Sequence, residues 1–211
     1  MIDFPSTTKV FANIPKESFY KNLSITKSLK EKFISDIEKI NVENSLTNEN
    51  LRFEKEGKIQ EILLVSILLK KNDFDNKIIE FIARKNSHKL VFLIEFDNYQ
   101  KLAIFHNKLY QTSWCEKEEI SLKLKGFSLD EVWENFVKEI AFRDNKIIED
   151  DSYSLDNLIE IKEEKEKLEK LITKTTNALR KELQPKKQYE LHKKLKEYEK
   201  KLNELLELIK D

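Results

Sequence analysis

The sequence predicts an α/β or α+β fold: a small sheet with packed helices, followed by a C-terminal antiparallel helical hairpin of the coiled-coil kind. Three observations carry this. Two apolar runs, Ile62 to Leu69 (almost without break) and Leu90 to Ile94 (unbroken), have the length of strands covered on both faces. Segments with helical periodicity flank and separate them. In the last quarter of the chain, apolar residues recur at alternating intervals of three and four on both sides of Pro185. The expected boundaries are a globular domain over 1–142, a linker over 143–153 and the hairpin over 154–211.

In chain order, Pro15 to Leu23 suits a short helix with Pro15 in its first turn. Ser28 to Ile40 places Leu29, Phe33, Ile37 and Ile40 on the inward face of a second helix. Asn41 to Asn50 is polar and reads as a loop, and Leu51 and Phe53 alternate with charge as in a half-exposed strand. After the first apolar run, Asn72 and Asp73 suit the cap of a helix whose inner stripe is Phe74, Ile78, Ile79 and Ile82. Asp97-Asn98 joins the second run to Tyr99–Phe105 as a tight hairpin. Ile120, Leu122 and Leu124 alternate with polar residues as a further strand would. Ser128 and Glu131 form a capping box, with Phe127 stapled onto Val132. The helix they open buries Val132, Trp133, Phe136, Val137 and Ile140. Arg143 to Tyr153 lacks periodicity and reads as linker.

Ser154 can cap the first long helix, with Asp156 complementing its positive end. Its seam runs Leu158, Ile161, Leu168, Ile172 and Leu179, with Lys165 and Thr175 at the remaining seam sites. A second seam runs Leu191, Leu195, Tyr198, Leu202, Leu205 and Ile209. Pro185 costs about 3 kcal/mol inside a helix but suits a first turn, so the chain should break there and fold back. The alternative is one helix kinked at Pro185 that dimerises. In either case the element serves protein–protein interaction.

Composition bounds the rest. The 211 residues carry 39 basic and 39 acidic side chains, for a formal net charge of zero. That balance argues against a dedicated nucleic-acid coat while leaving room for a local basic stripe. Cys115 is the one cysteine, which excludes an intramolecular disulfide and fits a cytoplasmic protein. Met1 to Pro5 lacks a signal-peptide pattern, and no apolar run reaches membrane-span length. With two glycines in all, there is no Walker loop or dinucleotide fingerprint, and no cofactor is expected.

Candidate chemistry is sparse, and no catalytic or metal-binding residue is assigned. Lys186, Lys193 and Lys200, beside Lys187, Lys194 and Lys201, offer a face for nucleic-acid phosphates, although Glu190, Glu197 and Glu204 interleave them as on an ordinary solvated surface. Glu95 and Asp97 end an apolar strand on one face, with His106 on the neighbouring strand, and a metal-dependent nuclease would use such acids with a lysine such as Lys70. The common restriction-nuclease core has an acid two residues before that lysine. Here Leu68 stands in its place, so a metal would lack a ligand. His88, His106 and His192 are dispersed, without zinc-ligand spacing. Trp114, Phe127 and Trp133 read most simply as core, and Cys115 as a small apolar filler.

The order of parts carries a resemblance. Ile2-Asp3-Phe4-Pro5 is followed by Ile14-Pro15-Lys16 and Phe19-Tyr20, then by the strand ending Leu69-Lys70 and by Val91-Phe92-Leu93-Ile94-Glu95. Trp114, Leu124-Lys125-Gly126 and Glu134-Asn135-Phe136-Val137 come next, before the charged hairpin. This resembles, over nearly its full length, a bacterial and archaeal family known as domain of unknown function 4391. The resemblance implies a gene near helicases and DNA methyltransferases in restriction or phage-defence clusters, and it supplies no catalytic residues. The expected function is a non-enzymatic accessory subunit of such a complex. Its globular domain would dock a helicase or methyltransferase, and its hairpin would set spacing or homo-oligomeric state. A degenerate metal-dependent nuclease and a nucleic-acid-binding module are the alternatives.

Overall fold

A computed structural model of the chain describes residues 2, 4–21, 25–54, 57–143 and 154–207. The chain divides into two compact units, Met1–Asn145 and Lys146–Asp211. The first is a mixed α+β unit built on a sheet. Its strands are β1 (Lys9–Asn13), β2 (Ile37–Thr47), β3 (Glu61–Leu69), β4 (Lys89–Phe96), β5 (Tyr99–His106), β6 (Lys108–Gln111) and β7 (Cys115–Glu116). They lie in the order β1-β2-β3-β4-β5-β6, with β7 also pairing β5. Neighbours are antiparallel except β3 and β4, which are parallel and joined through a helix, α4 (Lys77–Lys85) in the numbering used below. The remaining helices of this unit are α1 (Glu17–Lys21), α2 (Lys27–Asp36), α3 (Asn48–Leu51) and α5 (Leu129–Phe142).

Strand β3 shows why the unit needs helices on two sides. Val65, Ile67 and Leu69 join one core with Phe33 of α2 and Ile78, Ile79 and Ile82 of α4. Ile62 and Leu64 point the other way and are equally buried, on the face where α5 lies against β3, β5 and β6. Alternate residues of β4 and β5 follow suit: Phe92 and Ala103 sit in the first core, while Val91 and Ile104 are buried opposite. Helix α5 buries Val132, Trp133, Phe136, Val137 and Ile140, and Phe136 stacks on Phe4 at 5.7 Å.

Several local readings are corrected by the structure. The second helix ends at Asp36, and Ile37 and Ile40 begin β2 rather than extend the helical face. Their three-residue spacing mimics a helix because the register shifts between Ile37 and Lys39, and a bulge puts residues three apart on one face. Asn41 to Thr47, read as loop, continues β2, with Asn41 bonded to Ser66 of β3 and Asn44 to Thr8, just before β1. Leu51 closes the single turn of α3, which Arg52 ends in the left-handed region (φ 56°), so no strand forms through Leu51 and Phe53. Helix α4 starts at Lys77, where Asp75 rather than Asn72 or Asp73 accepts the first amide. Ile120 and Leu122 are buried without forming a strand. Ser121 instead accepts a 2.9 Å bond from Arg143 at its carbonyl. Phe127 is 83% exposed, so it staples nothing and is not core. The cap at Ser128 forms, with Glu131 N–H donating to Ser128 Oγ, while Glu131 Oε2 accepts from the amide of Phe127, one residue before the cap. Strands β1, β6 and β7 have no counterpart among the sequence expectations.

The segment after β3 is tied to α2 by charge. Lys71 Nζ approaches Asp36 Oδ1 at 2.7 Å, Lys32 pairs with Asp75, and Lys70 Nζ donates to the Ile34 carbonyl at 2.9 Å. Burial pushes the Asp36 carboxyl up. The hydrogen bonds from Lys71 and Ser35 outweigh that and hold it below the usual carboxylate value. A depressed carboxylate stabilises the fold above its unfolded value and loses that contribution as pH falls through the folded one. Asp36→Ala should therefore cost about 1–3 kcal/mol at neutral pH. In urea unfolding, the gap from the parent should close in acid, as the pH falls below the ordinary carboxylate range. A gap of unchanged size there would rule out the ionised carboxylate as its source.

Candidate functional site

The second unit consists of α6 (Leu155–Lys181) and α7 (Pro185–Glu207), which pack against each other across a short connection. Ser154 caps α6 by accepting from the Asn157 amide at 3.3 Å. Beyond its end, Glu182 Oε1 accepts from the amides of Leu183 and Gln184, at 3.0 and 2.9 Å. Pro185 then opens α7, where its missing N–H costs nothing. The chain therefore reverses instead of continuing as one kinked helix.

On α6, Leu158, Leu168 and Thr175 are buried, and Ile161, Lys165, Ile172 and Leu179 are half-buried. On α7 the half-buried positions are Leu191, Leu195, Tyr198, Leu202, Leu205 and Leu206, and every other described residue of the helix is exposed. Ile209 lies outside the described residues, as does the expected linker beyond Arg143. Lys186, Lys193 and Lys200 are all exposed. Lys200 pairs with Glu204 at 3.4 Å, and Lys201 with Glu197 at 2.9 Å. The hydrogen bond from Lys201 holds the Glu197 carboxyl below its usual range, and the same contact raises the Lys201 ammonium.

The sheet unit separates the residues that a nuclease would need together. Asp97 lies in the turn between β4 and β5, with φ 53°, so the two-residue rule that would align it with Glu95 does not apply. Reversal of the chain pairs Glu95 with Gln100, whose Nε2 donates to Glu95 Oε2 at 2.8 Å. His106 belongs to the far end of β5, where its Nδ1 accepts from Trp133 Nε1 at 3.3 Å, so it does not sit beside Glu95. Leu68 is the register partner of Glu95, and Lys70 reaches back to α2. Among the described residues, no three metal-ligating acid, histidine or cysteine side chains gather.

Two polar arrangements escape sequence reading. Ser66, buried in β3, donates to Glu43 Oε1 at 2.5 Å and accepts from Asn41 Nδ2 at 3.3 Å, while Asn13 Nδ2 donates to Asn41 Oδ1 at 3.2 Å. The register shift between Val42 and Asn44 gives Glu43 no partner of its own on β3. The one signal was Ser66 itself, the single polar residue in the run Ile62 to Leu69. Elsewhere, Lys101 lies between the rings of Trp114 and Phe74, 4.9 and 5.1 Å from their centres, and donates to Gln111 Oε1 at 2.6 Å. Burial holds its ammonium below the usual lysine value.

A family model described as Domain of unknown function (DUF4391) matches residues 2–202. The chain belongs to this family. No curated protein and no solved structure matches it. The match takes in the whole sheet unit and α6, and it reaches into α7 as far as Leu202, so in this DUF4391 chain the hairpin belongs with the sheet rather than being an unrelated appendage. No described helix is long and apolar enough to cross a membrane.

Within the hairpin, Leu168 is the most informative position, since it is buried at 3% exposure while every described seam residue of α7 remains half-exposed. Leu168→Ala should cost about 2–5 kcal/mol, and Leu195→Ala less. Hydrogen exchange of α6 and α7 amides in the full chain should register the first as faster exchange in both helices while β3 and β4 stay protected. Equal acceleration in β3 would show that the hairpin and the sheet do not open separately.

Proposed function

We propose that this DUF4391 chain is a non-enzymatic accessory subunit of a DNA restriction-modification or phage-defence complex. In this reading the sheet unit docks a helicase or DNA methyltransferase, and the hairpin sets spacing or oligomeric state. Family membership supports it through the gene neighbourhood that the family resemblance implies. The observation that carries the docking role is β1. This edge strand is exposed at all five residues, including Val10 and Phe11. Sheet edges are templates for pairing and are normally covered or blunted with charge.

Phe11 sharpens the point. It sits at φ 52° in the register shift between Lys9 and Ala12, with 69% of its surface exposed. A bulky residue in the left-handed region costs about 1–3 kcal/mol, and persists where the surroundings or a function require it. Phe11 gains almost no burial in return. A partner covering the ring would supply that return, since bulges re-aim side chains at sheet edges.

The test is capture of the tagged full chain, co-expressed with the helicase and methyltransferase encoded beside it, with products identified by mass spectrometry and sized by light scattering. A stoichiometric complex is expected. Phe11→Gly removes both ring and strain. It should leave the thermal midpoint unchanged or higher and weaken capture about tenfold, the equivalent of about 1.4 kcal/mol. Undiminished capture would move docking away from β1, and absence of any complex with the parent chain would overturn the accessory role.

A further inference from the structure

The hairpin is electrically divided along its length. From Lys170 through the connection to Lys196 it carries nine cations (Lys170, Lys174, Arg180, Lys181, Lys186, Lys187, Lys193, Lys194 and Lys196) against two acids, Glu182 and Glu190, a net of +7. All nine cations are exposed, and none makes an ion pair with a described residue. The opposite half, 155–169 with 197–207, carries ten acids and five cations, a net of −5. The ion pairs Lys165–Glu169, Lys167–Glu164, Lys200–Glu204 and Lys201–Glu197 all lie in that half. The field of Glu164 on Lys201 fits the folded-back alignment that puts Lys170 level with Lys196.

A helix made soluble by interleaved charges needs no such segregation, as the acidic half shows. Arg180 and Lys181 have a local rationale, because cations suit the negative end of α6. Lys186 and Lys187 have the opposite: they occupy the first turn of α7, which contains no acid and where the helix dipole disfavours cations. Their placement works against the hairpin's own stability and concentrates positive potential at its closed end. Each basic arm is about 18 Å long. Duplex DNA presents one charge per about 1.7 Å of axis, or roughly ten phosphate charges over that length. Tyr189 and Leu183 are exposed among these cations.

We propose that the closed end of the hairpin, from Lys170 to Lys196, binds the phosphate backbone of duplex DNA without reading its sequence. Choosing DNA over other polyanions rests on the DNA-complex reading above, whereas the charge argument does not. This surface differs from the stripe of Lys186, Lys193 and Lys200 on one helix. It uses both helices and omits Lys200, which is engaged by Glu204.

The test is fluorescence anisotropy of a labelled DNA duplex of mixed sequence with the full chain alone, across a salt series. Affinity should fall as salt rises, with a log–log slope near −0.9 for each phosphate neutralised. Lys186→Glu/Lys187→Glu, which should fold at least as stably as the parent, is expected to weaken binding tenfold or more. Lys193→Gln/Lys194→Gln should weaken it severalfold, and Lys200→Gln/Lys201→Gln should change it little. Salt-insensitive or absent duplex binding overturns the proposal, as does equal loss in the Lys200/Lys201 variant. Tighter binding to an RNA duplex of the same sequence, or to phosphatidylserine vesicles, would overturn the choice of DNA. Because no partner is present, failed capture of a helicase or methyltransferase and failed DNA binding are separate results.

Discussion

Strand β3 has neighbours on both edges and helices over both faces, and the organisation of the sheet unit follows from satisfying it. A strand in that position can expose neither its amides nor its side chains to water, so each must find a partner within the protein. Its two edges are met by β2 and β4, in antiparallel and parallel register respectively. Its two faces are met by α2 with α4, and by α5. The parallel pairing with β4 forces a crossover, and α4 supplies it while covering the first face with Ile78, Ile79 and Ile82. One requirement thus accounts for the helix–strand alternation and for the sheet order.

Ser66 is where that requirement is least comfortably met. A hydroxyl at the centre of a buried strand loses solvation unless it is hydrogen-bonded on arrival. The bulge in β2 brings the Glu43 carboxylate to it, and Asn41 and Asn13 extend the network outward to β1. The polar content of β2 is therefore the complement of Ser66 and not a sign of a loop. The same network links the buried strand to the exposed edge, so the shape of β1, with its strained Phe11, is connected through side chains to the core.

This explains which parts of the fold were legible. Runs buried along most of their length, Ile62 to Leu69 and Leu90 to Ile94, announce themselves because apolar residues suit nearly every position, Ser66 being the exception. Capping at Ser128 and Ser154 and the break at Pro185 are legible because each depends on residues close in sequence. Strand β2 was not, since two register shifts disturb its alternation and its polar residues answer to β1 and β3. Nor was the separation of His106 from Glu95: sequence places them on neighbouring strands, but an antiparallel turn decides which ends meet. Leu68, by contrast, reads the same way from sequence and structure, a leucine facing Glu95 where a metal site would need an acid.

Charge shows the same contrast between sums and placement. A formal net charge of zero over the chain argues against a protein that coats nucleic acid along its whole surface. It says nothing about a hairpin in which +7 and −5 occupy opposite ends. The field near a surface is set by charges within about a Debye length, roughly 8 Å at physiological salt, so the two ends do not cancel for a ligand that touches only one. Folding back at Pro185 creates the division, because it sets Lys170–Lys181 beside Pro185–Lys196 and leaves the acids of both helices together at the other end. Extended as one helix, the same residues would present a basic middle between two acidic ends, with the cations spread over about twice the length. The turn thus sets charge density as well as topology, and charge density governs how strongly a polyanion is held.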